Sequence, residues 1–282
     1  MKSAFVVFAI FLFLFLFPRF EGCEYGALFF LKPQTVSSDS GCHFEPRLVV
    51  VVIAGGNLTR FVLERQIWSV MAEQAEKLGV QVYFTRMNPS LMNGQLRRTG
   101  RLLEFGGPDG DVSCHLHSTV KAWKTIMSEK LCGWKTNLFL RTNLSSYWDF
   151  RKLLQWLDGL KQVTKVYAGY VGFDYSQPFA SGAGFILSRD LVANIVKRSS
   201  KLRFEKIDDV AIGYFFSNVQ IIPMKRCDIF TKNQELSEEN FLIPSDWCPS
   251  STFHWRVKSP TEKYSMIFHA MLFFRNHTSD FF

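Results

Sequence analysis

A chain of 282 residues, 47% of them hydrophobic, can bury a substantial core, which argues against a disordered tail protein and makes one domain the expectation. The formal charge is +8, yet the lysines and arginines are scattered and no nucleic-acid motif accompanies them, so no nucleic-acid partner is expected. The excess suits either a basic cleft for a nucleotide diphosphate or plain surface charge.

Lys2 precedes an unbroken apolar run from Ala4 to Phe17, closed by Pro18 and Arg19. That is signal-peptide length and short for a membrane span. Phe20 to Cys23 makes a poor cleavage site, so residues 1–22 read as a signal peptide or a short signal-anchor. Either sends the rest of the chain into the secretory pathway, with membrane contact only through that segment. Asn57-Leu58-Thr59, Asn143-Leu144-Ser145 and Asn276-His277-Thr278 are glycosylation sequons. The cysteines, at 23, 42, 114, 132, 227 and 248, are even in number, as an oxidising lumen permits. Connectivity does not follow from sequence. Cys227 with Cys248 is the pair expected first, because only a loop separates them.

Residues 23–46 lack periodicity and read as a stem, leaving 47–282 as the domain. Its first element, LVVVVIA from Leu48, is a continuous apolar run suited to a parallel strand buried on both faces. Thr59 can cap a helix with Leu63, Ile67, Val70 and Met71 on one face, stopped by Gly79. Val80–Thr85 is the next strand, which predicts a right-handed parallel beta-alpha-beta unit. Gly55-Gly56 lacks the full GxGxxG fingerprint, so a dinucleotide-dependent dehydrogenase is disfavoured. Residues 86–111, polar and glycine-rich, read as loop. A helix carrying Val120, Trp123 and Met127 follows, then the strand Asn137–Arg141. Asp149 caps a helix with Phe150, Leu153, Leu154 and Leu157 on one side, and Lys165–Val171 is a further strand.

The stretch Phe179–Pro223 organises the rest. Ala180, Ser181, Gly182, Ala183 and Gly184 read as a small-residue turn over which a backbone can approach a ligand closely. Phe185–Leu187 continues as a strand, and Ser188 caps a helix with Leu191, Val192, Ile195 and Val196 on one face. Asp208 and Asp209 head a second apolar helix, Val210–Phe216, and Val219–Ile222 alternates as a short strand stopped by Pro223. A helix start needs one Asp as its cap. The pair is therefore a cap with a surface acid, or a cap with an acid facing a cleft. Beyond Pro223 lies a loop-rich tail with Trp247, His254 and Trp255, then the apolar Ile267–Phe274. His115-Leu116-His117 has no third metal ligand nearby and reads as a helix-entry pair. GxSxG is absent, which argues against a serine hydrolase.

The segments VYAGYVG (Val166–Gly172), FASGAGFILSRDLV (Phe179–Val192) and DDVAIG (Asp208–Gly213) resemble, in order, the C-terminal half of beta-1,3-glycosyltransferases of the galactosyltransferase and Fringe group. RFVLERQIW (Arg60–Trp68) is similar to that group's Arg-rich segment ending in Trp. The resemblance spans residues 47–272 and implies a GT-A-like alpha/beta fold, a mostly parallel central sheet with flanking helices in a single domain. It also implies hexose transfer from a UDP-sugar to a glycan hydroxyl with inversion, in the Golgi or ER lumen. Such transfer needs a base for the acceptor's proton. The resemblance puts that base at Asp209, with Asp208 capping the helix or orienting the acceptor. Donor binding is expected at Arg65, Arg141, Asn143, Ser181, Gly182 and Gly184. His269 matches a late histidine near the metal and diphosphate, a core histidine being the other reading.

One departure stands out. The group's acidic triplet, which holds a divalent ion on the diphosphate, corresponds here to Asn143, Leu144 and Ser145. Hard cations prefer carboxylate oxygens, so manganese is doubtful and no tightly bound cofactor is expected. Arg141, Arg65 or nearby lysines would then neutralise the leaving diphosphate. The rival reading is a luminal glycan- or protein-binding protein that kept the fold and lost catalysis. Loss of the triplet favours the rival; DDVAIG and the glycine-rich stretch favour the enzyme.

Overall fold

The computed structural model describes residues 44–54, 62–108, 112–230, 248–249 and 251–258. Asn57, Trp247, His269, Asn276, the N-terminal segment 1–22 and nearly all of 23–46 lie outside them. Strand β1 (Leu48–Ile53) is buried along its whole length. Val50 and Val52 enter one apolar cluster and Val49 and Val51 the other, as a run without alternation predicts. Strand β2 (Val80–Asn88) pairs parallel with it after helix α1 (Val62–Lys77). On α1, Trp68, Met71, Ala72 and Ala75 are buried. Val70, expected on that face, is 39% exposed. At about 100° per residue it lies roughly opposite the centre of the buried arc.

The expected loop 86–111 is a correction. β2 extends to Asn88, and β3 (Leu96–Thr99) and β4 (Leu102–Gly106) follow, with β4 parallel to β2. The polarity that hides these strands is an ion cluster around buried Glu104. Its Oε1 accepts from Arg86 Nε at 2.8 Å and Asn88 Nδ2 at 2.9 Å, and its Oε2 from Arg97 Nε at 2.6 Å. Burial alone would raise the Glu104 carboxyl, but the Arg97 and Arg86 bonds outweigh it and hold the group below its ordinary range.

Helix α2 (Val112–Ser128) buries Val120 and Trp123. It also carries His115 and His117, two positions apart and so on different faces; His117 stacks on Phe204 with ring centroids 4.2 Å apart. Strand β5 (Leu138–Asn143) lies parallel to β1 on the side opposite β2. β6 (Ser146–Trp148) leads into α3 (Phe150–Asp158). There Asp149 accepts from Lys152 N at 3.0 Å, and Phe150, Leu153, Leu154 and Leu157 are buried, as expected.

β7 (Tyr167–Asp174) and β8 (Gln177–Ser188) form an antiparallel pair, and here the second correction falls. Ala180–Gly184 is no turn but the interior of a 12-residue strand. Gly182 and Gly184 have no positive φ. Their missing side chains make room for the protein's own groups. A Cβ on Gly184 would overlap the Trp148 indole, and one on Gly182 would come within 2.9 Å of Arg141 Nη1 and 3.0 Å of Asp209 Oδ2. Gly184→Ala is expected to overpack this contact and cost about 1–3 kcal/mol, read as a lower urea midpoint.

Ser188 precedes α4 (Arg189–Lys197), but its hydroxyl accepts from Val166 N at 2.9 Å and makes no capping bond. Leu191, Val192 and Ile195 are buried as expected, with Val196 partly so. Helix α5 (Asp208–Phe215) follows, then β9 (Ile222–Pro223), which overlaps the expected strand Val219–Ile222 only at Ile222. The tail read as loop-rich contributes β10 (Cys227–Phe230) and β11 (His254–Lys258). Cys227 and Cys248 form the expected disulfide, Cys132 is also disulfide-bonded, and Cys114 is free and buried.

The large sheet runs β3-β4-β2-β1-β5-β8-β7-β9, antiparallel only at β3–β4, β5–β8 and β8–β7. This is the expected alpha/beta class with a mostly parallel central sheet. A small sheet, β10-β11-β6, stands beside it. β2 and β5 flank β1, so the chain's direction of winding switches between β1 and β5. Open alpha/beta sheets bind ligands beyond the carboxyl ends of strands at such a switch. Among the described residues no helix is long and apolar enough to cross a membrane.

Candidate active site

The carboxyl end of β5, the middle of β8, the head of α5 and the small sheet converge on one charged cluster. Arg141 on β5 is 3% exposed. Its Nη2 pairs with Asp208 Oδ2, its Nη1 donates to Gly182 O, and its guanidinium lies 5.7 Å from the centroid of the Phe185 ring. A buried arginine requires such compensation. The structure thus gives Arg141 a carboxylate partner inside the protein.

Asp208 and Asp209 are 5% and 7% exposed. Neither caps its helix: Ile207 occupies the cap position, and no side chain caps it. Both readings of the pair made one aspartate a cap, but tertiary partners claim both. Asp208 goes to Arg141. Asp209 Oδ2 accepts from Gly182 N at 2.6 Å, and its Oδ1 from Val210 N at 2.9 Å. Burial, then the neighbouring Asp208 charge, push the Asp209 carboxyl above its ordinary range, against the opposing pull of these N–H groups and Arg141.

Where the acidic triplet was sought, a closed hydrogen-bond network stands. Thr142 Oγ1 donates to Ala183 O at 2.7 Å and accepts from Trp148 Nε1 at 3.0 Å. Asn143 Nδ2 donates to Gly182 O at 3.2 Å, and its Oδ1 accepts from Ser145 Oγ and Ser146 Oγ, each at 2.9 Å. Leu144 is buried. A glycan on the Asn143 amide would disturb its bond to Gly182. Neutral oxygens already engaged in this way do not suit a hard divalent ion. Among the described residues no group of three or more His, Cys, Asp or Glu is placed to hold a metal ion. Among the described residues, the donor set at the triplet's place does not fit the divalent ion that the resemblance implies.

Ser181 Oγ accepts from Arg226 Nη1 at 2.7 Å. Arg226 also pairs with Asp228: its Nη2 donates to Oδ2 at 2.7 Å, its Nε lies 2.7 Å from Oδ1 as an ion-pair contact, and its guanidinium lies 4.1 Å over the Tyr170 ring. β11 supplies His254, fully buried and stacked on Trp148 at 3.8 Å and 11°. Burial, then the charges of Arg226 and Arg256, hold its imidazole well below the ordinary value, so it is neutral. Part-exposed Arg256 follows on the same face.

Of the residues singled out in the sequence, Asp208, Asp209, Arg141, Asn143, Ser181, Gly182 and Gly184 come together. Arg65 lies on α1 with its side chain outside the described residues, as is the whole of His269. Arg226, Asp228, His254 and Arg256 were missed. The alternation in His254-Trp255-Arg256-Val257 was the one signal that a strand presents two of them together.

A galactosyltransferase family model matches residues 157–227, a segment that holds β7, β8, α4, α5 and the aspartate pair. The fold is similar to that of a glycosyltransferase involved in the glycosylation of the major capsid of PBCV-1, with a TM-score of 0.50 and 9% sequence identity over 80% of this chain and 100% of that one. No curated protein sequence matches the chain. The resemblance is borne out over the matched segment, and the alpha/beta glycosyltransferase fold by the structural likeness.

Proposed function

We propose that this chain, which carries a galactosyltransferase-family segment on a glycosyltransferase fold, moves a hexose from a UDP-sugar to a glycan hydroxyl with inversion. The observation that carries this reading is the division of labour within the buried acid pair. Asp208 is ion-paired with Arg141, while Asp209 accepts from backbone N–H groups and its basicity is raised. Two carboxyls with diverging environments are a mark of acid–base sites. Asp209 takes the acceptor hydroxyl's proton; that oxygen bonds to the anomeric carbon on the face opposite the departing diphosphate. The bond from the anomeric carbon to the diphosphate oxygen breaks, and UDP leaves with the electron pair. A carboxylate has about four lone-pair sites, so two N–H bonds leave Asp209 able to accept that proton.

Cytosolic thiols do not suit the disulfide-bonded Cys227–Cys248, and with the N-terminal apolar segment this supports action in the secretory pathway. Because the place of the triplet lacks carboxylates, transfer is expected to persist in EDTA and not to rise with added manganese. UDP release measured in both conditions checks this. Activity abolished by EDTA and restored by manganese would contradict it. A second reading, a binding protein on the same fold, is favoured by one observation: the space beside Gly184 is occupied by Trp148 rather than open to a ligand.

A further inference from the structure

The small sheet carries more positive charge than its partners compensate. Asp228 on β10 is the register partner of Arg256 on the parallel strand β11. Arg226 holds both Asp228 oxygens. Arg256 Nε is buried without a hydrogen-bond partner among the described residues. On its other side it faces Ser146, whose hydroxyl is bonded to Asn143 Oδ1 and Ala183 O. His254, the next residue on that face, is neutral. Arg226 is itself fixed by Ser181, Asp228 and the Tyr170 ring. Two guanidiniums thus share the neighbourhood of one carboxylate, Asp228, which Arg226 engages directly, beside the strand that carries Ser181 and Gly182.

We propose that Arg256, backed by Arg226, is the anion site that receives the diphosphate of the nucleotide-sugar donor. Like-charged groups held partly out of water repel each other, and a bridging anion removes that cost. Guanidinium groups suit phosphate because their planar N–H forks meet two oxygens at once. Burial, then the Arg226 charge, lower the affinity of Arg256 for its proton, while Asp228 and Asp209 act in the opposite sense. An anion at this position would therefore lie within the field of Asp209. Arg226 is a positioning residue here and Arg256 the contacting one. The inference rests on the transferase reading for the identity of the donor, and on the arginine pair alone for the anion.

The test is binding of inorganic pyrophosphate, UDP and uridine to the purified chain in EDTA, by calorimetry, alongside UDP release from UDP-hexose donors. Pyrophosphate and UDP are expected to bind, and Arg256→Gln to weaken both by about tenfold or more. Uridine binding should be unchanged. Arg256→Lys, which keeps the charge but not the fork, should fall between, and a retained unfolding midpoint confirms that each variant is folded. Equal affinity of wild type and Arg256→Gln for pyrophosphate, or no pyrophosphate binding by wild type, overturns the inference. UDP release together with undiminished binding by Arg256→Gln removes this site and leaves the transferase standing. Pyrophosphate held through Arg256 with no UDP released from any donor keeps the site and removes the transferase.

Discussion

Asp209→Asn is expected to lower sugar transfer by about two to four orders of magnitude while leaving the protein folded, as measured by UDP release and urea unfolding. Asn matches Asp in shape and keeps one acceptor oxygen for Gly182 N or Val210 N, but it cannot take a proton at neutral pH. The sign of the pH effect follows from the raised carboxyl. Only ionised Asp209 accepts a proton, so transfer should fall as pH drops through its folded value, above the range of an ordinary carboxylate. Stability runs the other way. A carboxyl raised on folding stabilises below its unfolded value, and that contribution is lost as pH rises through the folded value. At neutral pH the Asn variant therefore removes a costly buried charge along with one hydrogen bond. Full activity in Asp209→Asn with activity lost in Asp208→Asn would reverse the two roles.

Arg141→Ala should destabilise the fold by about 3–5 kcal/mol, because it strands Asp208 without its partner in a site almost closed to water. The lost bond to Gly182 O loosens β8 beside Asp209 as well, so transfer should fall together with stability. The double variant Arg141→Met with Asp208→Asn should recover part of the stability, since apolar or neutral replacement of both partners removes the uncompensated charge. Urea midpoints of the single and double variants decide this. An unchanged midpoint in Arg141→Ala, with transfer abolished, would return Arg141 to the role of donor cation expected from the loss of the acidic triplet.

What could be read from the chain depended on how local its physics was. The unbroken valines of β1, the Asp149 cap and the apolar side of α3 need only neighbours a few residues away, and they were legible. Ala180–Gly184 was misread as a turn because the reason for its glycines lies elsewhere: Trp148 for Gly184, and Arg141 and Asp209 for Gly182. The strands around Glu104 were hidden by arginines that look like loop polarity until the cross-strand ion cluster is seen. Within the site, Asp208 and Asp209 stood out because a motif carries them. Arg226, His254 and Arg256 did not, since they reach the site only when β11 pairs with β6 and β10, segments distant in sequence.

The central claim is that this fold performs transfer through Asp209. Its most direct measurement is UDP release by the purified chain over a panel of UDP-hexose donors and glycan acceptors in EDTA, with the anomeric configuration of the product read by NMR. UDP formed only when donor and acceptor are both present, an inverted glycosidic bond, and loss of both in Asp209→Asn are the expected results. A folded protein that releases no UDP from any donor, with or without manganese, would contradict the claim.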